Sequence, residues 1–73
     1  MTAAGRGRVT NEVRRLREAA AMTQAELGER VGATRQTIIA IEAEKYAPSL
    51  ELAFRLARAF GRRLDDVFRF HEQ

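Results

Sequence analysis

The side chains best suited to chemistry in this sequence sit in two short runs, Thr23-Gln24-Ala25-Glu26 and Thr34-Arg35-Gln36-Thr37. Arginine presents a planar fork of donors and glutamine a paired donor and acceptor, so each can grip a base edge bidentately, guanine for the first and adenine for the second. That chemistry is recognition rather than bond-making. The only histidine, His71, lies in the last few residues. Nothing in the sequence reads as a nucleophile with its base, a cluster of metal ligands or a glycine loop that cradles phosphate. An enzyme is therefore not expected, and no cofactor or metal is called for.

Arg35 and Gln36 can act together only if a helix presents them on one side. At 100° per residue, Ile38 and Ile41 point one way, while Arg35, Gln36, Ile39, Ala40 and Ala43 share the other. Thr34 is placed to cap this helix, which should run to about residue 43 or 44 and carry its polar leading end outward. Ile39 admits two readings: its side chain meets a thymine methyl, or it is ordinary surface apolar area leaning on a neighbouring helix.

A second helix must support the first. Thr23 and Glu26 have the spacing of a capping box, each side chain satisfying an amide at the start of the helix. Leu27 and Val31 face inward, and Gly32 ends the segment after about two turns. Only Ala33 then separates that stop from Thr34, so the two helices must cross at a large angle.

Flanking segments supply the rest of a helical core. Upstream, Val13, Leu16 and Ala20 recur at helical steps behind an Asn11 cap, with Glu12, Arg14, Arg15 and Glu18 on the opposite face. Downstream, residues 45–49 form a loop around Pro48, and Ser49 caps a helix whose inward stripe is Leu50, Ala53, Leu56, Ala57 and Phe60, ending at Gly61. A last short helix is expected from Leu64 to Val67 or Phe68, with Asp65 and Asp66 in its first turn. Val67-Phe68-Arg69-Phe70 alternates apolar and polar and can turn into a strand.

Composition bounds these readings. A chain of 73 residues without cysteine can close one core and must hold it by packing, since neither disulfides nor thiolate metal sites are available. No apolar run approaches the roughly 20 residues of a membrane span, and no basic-then-apolar leader opens the sequence. A cytoplasmic, nucleoid-associated protein is expected. Net charge is +3. Residues 1–35 hold seven arginines against four glutamates, whereas the remainder balances, so positive potential gathers on one side. Residues 1–8 have too few apolar side chains to offset their ordering entropy and read as a flexible basic tail.

The sequence resembles the Cro/CI-like, XRE-type helix-turn-helix regulators. The residues that carry the likeness are Arg17-Glu18, Met22-Thr23-Gln24-Ala25-Glu26-Leu27, Val31-Gly32, Thr34-Arg35-Gln36-Thr37-Ile38, Ile41-Glu42, Lys45-Tyr46, Pro48-Ser49-Leu50-Glu51-Leu52-Ala53 and Asp66-Val67-Phe68. Among such proteins it is most similar to the short, single-domain type of the small cytolysin-operon repressor. The resemblance implies an all-α, five-helix, lambda-repressor-like domain over residues 9–73, with the helix-turn-helix unit at 23–43 and a small two-stranded antiparallel sheet made by the terminal segments.

It also implies roles. Arg35, Gln36, Ile39 and Ala40 would face bases. Gln24, Thr34, Thr37, Lys45 and Tyr46 would approach phosphates, and Arg17 would pair with Glu42 between the first and third helices. The alternative for that pair is two separately solvated surface charges. Three departures stand out: Gly28 in place of a common alanine, Ile39 in place of a small or polar residue, and Ala43-Glu44 in place of an Asn-Gly or Asn-Lys turn.

Specificity for DNA generally needs two half-sites about one helical turn apart, which a symmetric dimer supplies. Leu64, Val67, Phe68 and Phe70 offer more apolar surface than one short helix can bury, and they are the candidate homodimer interface. The expected partner is a palindromic double-stranded operator, read by a repressor with no membrane contact and no small-molecule ligand. The competing expectation is an antitoxin-type DNA-binding module whose main partner is a protein.

Overall fold

Six side chains retain no exposed surface at all: Val13, Leu27, Ile38, Ile41, Leu56 and Val67. They come from five helices, which shows how the short segments stabilise one another through a shared centre. The computed structural model describes residues 7–72. Within it, β1 (Arg8–Asn11) leads into α1 (Val13–Ala19), α2 (Gln24–Val31), α3 (Arg35–Glu42), α4 (Leu50–Ala59) and α5 (Leu64–Val67), and β2 (Phe68–His71) follows. This is the five-helix fold with a terminal sheet that the resemblance implies. No helix among the described residues is long and apolar enough to cross a membrane.

The helix starts follow the local chemistry of the sequence. Thr23 Oγ1 accepts the Glu26 amide at 3.0 Å while Glu26 Oε1 accepts the Thr23 amide at 2.8 Å, so two amides without intrahelical partners are satisfied reciprocally. Thr34 and Ser49 cap α3 and α4 in the same manner, through the Thr37 amide at 3.1 Å and the Leu52 amide at 3.2 Å.

The helix ends share a second device. After α1, α2, α3 and α4 the chain turns through a left-handed residue, respectively Ala21, Gly32, Glu44 and Gly61, with φ of 57°, 75°, 60° and 65°. In each case the amide of that residue and the amide after it donate to carbonyls of the last turn, as in Glu44 N–H to the Ile41 carbonyl at 2.9 Å and Lys45 N–H to the Ala40 carbonyl at 2.9 Å. This is the Schellman arrangement.

Strands β1 and β2 pair antiparallel with Arg8 opposite His71, Val9 opposite Phe70, Thr10 opposite Arg69 and Asn11 opposite Phe68. The sheet is fastened to the helices where Glu12 N–H donates to the Val67 carbonyl at 2.9 Å.

Several expectations need correction. Leu50, expected in the inward stripe of α4, is 67% exposed, and Ala20, expected to continue the apolar recurrence of α1, is exposed as well, so the buried residues are Ala53, Leu56 and Ala57 in α4 and Val13 and Leu16 in α1. Asn11 is the last residue of β1, and Glu12 takes the N-cap position of α1 without a side-chain cap bond. Asn11 still serves the helix, because its Oδ1 accepts the Val13 amide at 3.0 Å. Of the expected tail, residues 1–6 lie outside the described residues, whereas Arg8 belongs to β1, since strand pairing supplies the order that its apolar content does not. Val67, expected at an interface, is fully buried within the single chain, because α5 packs it against α4.

Candidate nucleic-acid interface

The outward side of α3 is produced by the burial of its inward side. Ile38 and Ile41 have no exposed surface, which fixes the rotation of the helix about its axis. Arg35 and Gln36 are consequently exposed in the first turn, Ile39 and Ala40 are partly covered, and Ala43 is exposed at the far end. Among the described residues no carboxylate lies within ion-pair distance of Arg35 or of Lys45. Both charges are therefore available to an external anion.

Close approach of α2 and α3 depends on Gly28. A Cβ built there would lie 2.8 Å from the Ala33 carbonyl oxygen and 3.3 Å from the Thr34 carbonyl. The bend that projects α3 thus passes directly over the glycine. Gly28 is a departure from the resembled pattern, and its place here is a steric one.

An open groove of about 650 Å³ separates the start of α2 from α3 and is lined by Arg14, Thr23, Gln24, Arg35, Ile39 and Ala43, among others. Ile39 forms part of its wall, so protein covers one side of that side chain and the other faces the groove.

Beneath the groove lies an ordered polar network. Arg17 Nε donates to Glu42 Oε2 at 2.6 Å and Nη2 to Glu42 Oε1 at 3.2 Å, while Nη1 donates to the Met22 carbonyl at 2.9 Å. Gln24 Nε2 adds a bond to Glu42 Oε1 at 3.1 Å. The Glu42 carboxylate pushes the Arg17 pKa further above its already high range, against the desolvation that burial imposes. Arg17 and Glu42 are paired and nearly buried, not separately solvated. Gln24, assigned a phosphate by resemblance, has one amide hydrogen committed to Glu42 and one left over.

The remaining phosphate candidates fall at two places. Thr34 Oγ1 and Thr37 Oγ1 lie 3.0 Å apart at the start of α3. Lys45 and Tyr46 are exposed in the loop after α3, where a smaller groove of about 300 Å³ brings them together with Arg8, Asn11 and Phe68. The resemblance implies the terminal sheet, but nothing in the sequence places Arg8 beside this loop. The sequence reading also missed a second bond of Asn11, from Nδ2 to the Ile41 carbonyl at 2.9 Å, whose partners are too far apart in sequence to leave a local signal. Of the interface candidates, Leu64 and Phe68 are half-buried and Phe70 is exposed.

Residues 13–67 match the helix-turn-helix family profile, a span from the first residue of α1 to the last of α5. The chain belongs to the XRE-type helix-turn-helix family of DNA-binding transcriptional regulators. Its similarity to curated relatives covers most of both chains. It is 56% identical over 57 residues to an uncharacterized HTH-type transcriptional regulator of Methanothermobacter thermautotrophicus, covering 77% of this chain and 83% of that one. It is 46% identical over 63 residues to the uncharacterized HTH-type transcriptional regulator YgzD of Bacillus subtilis, covering 86% and 96%. Among solved structures, transcriptional regulator VanUg superposes with a TM-score of 0.77 at 19% identity, over 100% of this chain and 97% of that one, a likeness of fold. In this helix-turn-helix regulator α2, the Gly32 bend and α3 form the family's defining unit, and the family is not one of enzymes.

Proposed function

We propose that this regulator binds double-stranded DNA sequence-specifically by inserting α3 into the major groove, with Arg35, Gln36, Ile39 and Ala40 facing base edges. Gln24, Thr34, Thr37, Lys45 and Tyr46 are the phosphate contacts of this reading, and they set register rather than sequence. One observation carries it. The buried Ile38–Ile41 side of α3 leaves Arg35, which has no ion-pair partner among the described residues, and Gln36 exposed together on the leading turn, the part of the recognition helix that enters the groove in this motif.

The same reading makes the protein a symmetric dimer on a palindromic operator, acting as a repressor by occupying a promoter. Phe70 is 62% exposed and Val9, opposite it across the sheet, 37%. Together with the outer parts of Leu64 and Phe68 they form apolar surface that a second copy would remove from water. A sedimentation mass of one chain at micromolar concentration would remove the dimer from the proposal. Nucleoid association in the cytoplasm follows from operator binding, and residues 9–73, with Arg8 joined to them through β1, act as one DNA-binding unit.

Selection of bound sequences from random duplex DNA at stated salt tests the central reading. Arg35→Ala and Gln36→Ala should then each lose about 1 to 3 kcal/mol at separate base positions. A uniform loss with a shallower salt slope would reduce both residues to phosphate contacts and overturn direct readout.

A further inference from the structure

We infer that Asn11 is a positioning residue for the DNA-reading helix, transmitting the placement of the β1–β2 sheet to the C-terminal end of α3. This rests on the reading that α3 enters the major groove. The side chain uses both of its ends on different elements. Oδ1 accepts the Val13 amide at 3.0 Å and holds the start of α1, while Nδ2 donates to the Ile41 carbonyl at 2.9 Å and holds the last turn of α3. The backbone of Asn11 meanwhile pairs with Phe68 in the sheet. Three elements therefore converge on one half-buried side chain.

The carbonyl it grips already has a partner. Ile41 O accepts the Glu44 amide at 2.9 Å within the turn that closes α3, so the Asn11 bond occupies the second lone pair and adds no satisfaction that the helix end lacks. Its contribution is direction. Ile38 and Ile41 fix the rotation of α3, and Arg17 and Gln24 hold Glu42 from the ends of α1 and α2. Asn11 is the hydrogen bond among the described residues that ties α3 to the strands. A tilt of α3 about its buried isoleucines would leave the core packed but move Arg35 and Gln36, at the far end of the helix, away from their base edges. Direct readout falls off steeply with such displacement, whereas phosphate attraction does not.

Asn11→Asp is the sharpest variant. It preserves shape and the acceptor for the Val13 amide, and it replaces the donor by an oxygen facing the Ile41 carbonyl. The full chain is titrated with the duplex that wild type selects from a random pool and with a shuffled duplex of the same composition. Measurements are made at a temperature where circular dichroism shows both proteins folded. The expected result is a loss of about tenfold in the ratio of selected to shuffled affinity. Affinity for the shuffled duplex, compared at several salt concentrations, should keep its salt slope. Amide hydrogen exchange at Ala43, Glu44 and Lys45 should rise in the same variant.

Asn11→Ser serves if the aspartate variant does not fold: it keeps a cap acceptor and is too short to reach Ile41. An unchanged ratio in the folded variant overturns the inference, as does an equal fall for both duplexes. If wild type selects no sequence from the pool, the DNA reading fails by itself, and that result is distinct from a selecting wild type whose variant selects equally well.

Discussion

Arg17 meets Glu42 edge-on, with Nε and Nη2 directed at the two carboxylate oxygens, and the side chains are only 11% and 6% exposed. A carboxylate in that position has lost most of its hydration and depends on Arg17, Gln24 and the geometry of α3 to replace it.

Removing one partner should therefore be far worse than removing both. Arg17→Ala and Glu42→Ala are each expected to destabilise by about 3 to 5 kcal/mol, whereas an apolar pair of similar volume, Arg17→Met with Glu42→Leu, should come close to wild type. Chemical denaturation of wild type, the two alanine variants and the Arg17→Ala/Glu42→Ala double variant gives the cycle, and additive losses would show that the contact is not a coupled pair.

The turns after the helices offer an internal control on backbone strain. Ala21 and Glu44 hold left-handed φ values where Gly32 and Gly61 do the same after α2 and α4. Ala21→Gly and Glu44→Gly should each stabilise by about 0.5 to 1 kcal/mol, because relief of the Cβ clash exceeds the entropy glycine adds to the unfolded chain. Gly32→Ala and Gly61→Ala should destabilise by a similar amount through φ alone, since no neighbour lies within 4 Å of a Cβ at either site. Urea midpoints of the four single variants check both directions.

Gly28 should show the opposite balance from that of an ordinary helical glycine. Alanine there gains up to about 1 kcal/mol of helix propensity. Its Cβ, however, would press on the Ala33 carbonyl at 2.8 Å, and overpacking against backbone costs about 1 to 3 kcal/mol. Gly28→Ala is expected to lower the melting temperature. A rise would mean that the bend yields without strain.

Acid should weaken one contact at the entrance to α1. Arg15 Nε donates to Glu12 Oε1 at 2.8 Å, and this bond, together with the arginine charge, holds the Glu12 carboxyl below the usual glutamate range. A carboxyl whose value is lowered on folding stabilises the protein above its unfolded value and ceases to do so as pH falls through the lowered one. The difference in stability between wild type and Glu12→Gln should thus be present at neutral pH and vanish in strong acid. Salt should shrink it too, because the pair is exposed.

Local signals carried much of this fold. Threonine and serine caps, the Gly32 stop and the period of apolar residues are written within a few positions of where they act, and each helix could be placed from them. The pairing of Arg17 with Glu42 entered through family likeness, since wheel geometry constrains it only loosely. What escaped was non-local. Asn11 looks like a cap because its neighbours are helical, and its strand conformation is imposed by Phe68 from the other end of the chain. Val67 looks like surplus apolar surface until α5 turns it into the core. The role of Gly28 depends on the path of the backbone over it, which composition does not express.

Pairing Arg8 with His71 also sets the order in which the molecule can assemble. Most helix packing joins segments closer in sequence than the two strands, α2 with α3 above all, so the helices can gather before the strands meet, whereas the sheet must wait for residues about sixty positions apart to be drawn together. Substitutions at Val9 or Phe70 should accordingly accelerate unfolding and leave the refolding rate almost untouched. Newly made chains would then have a finished reading helix before they have a completed strand pair, and any assembly through that pair would come last.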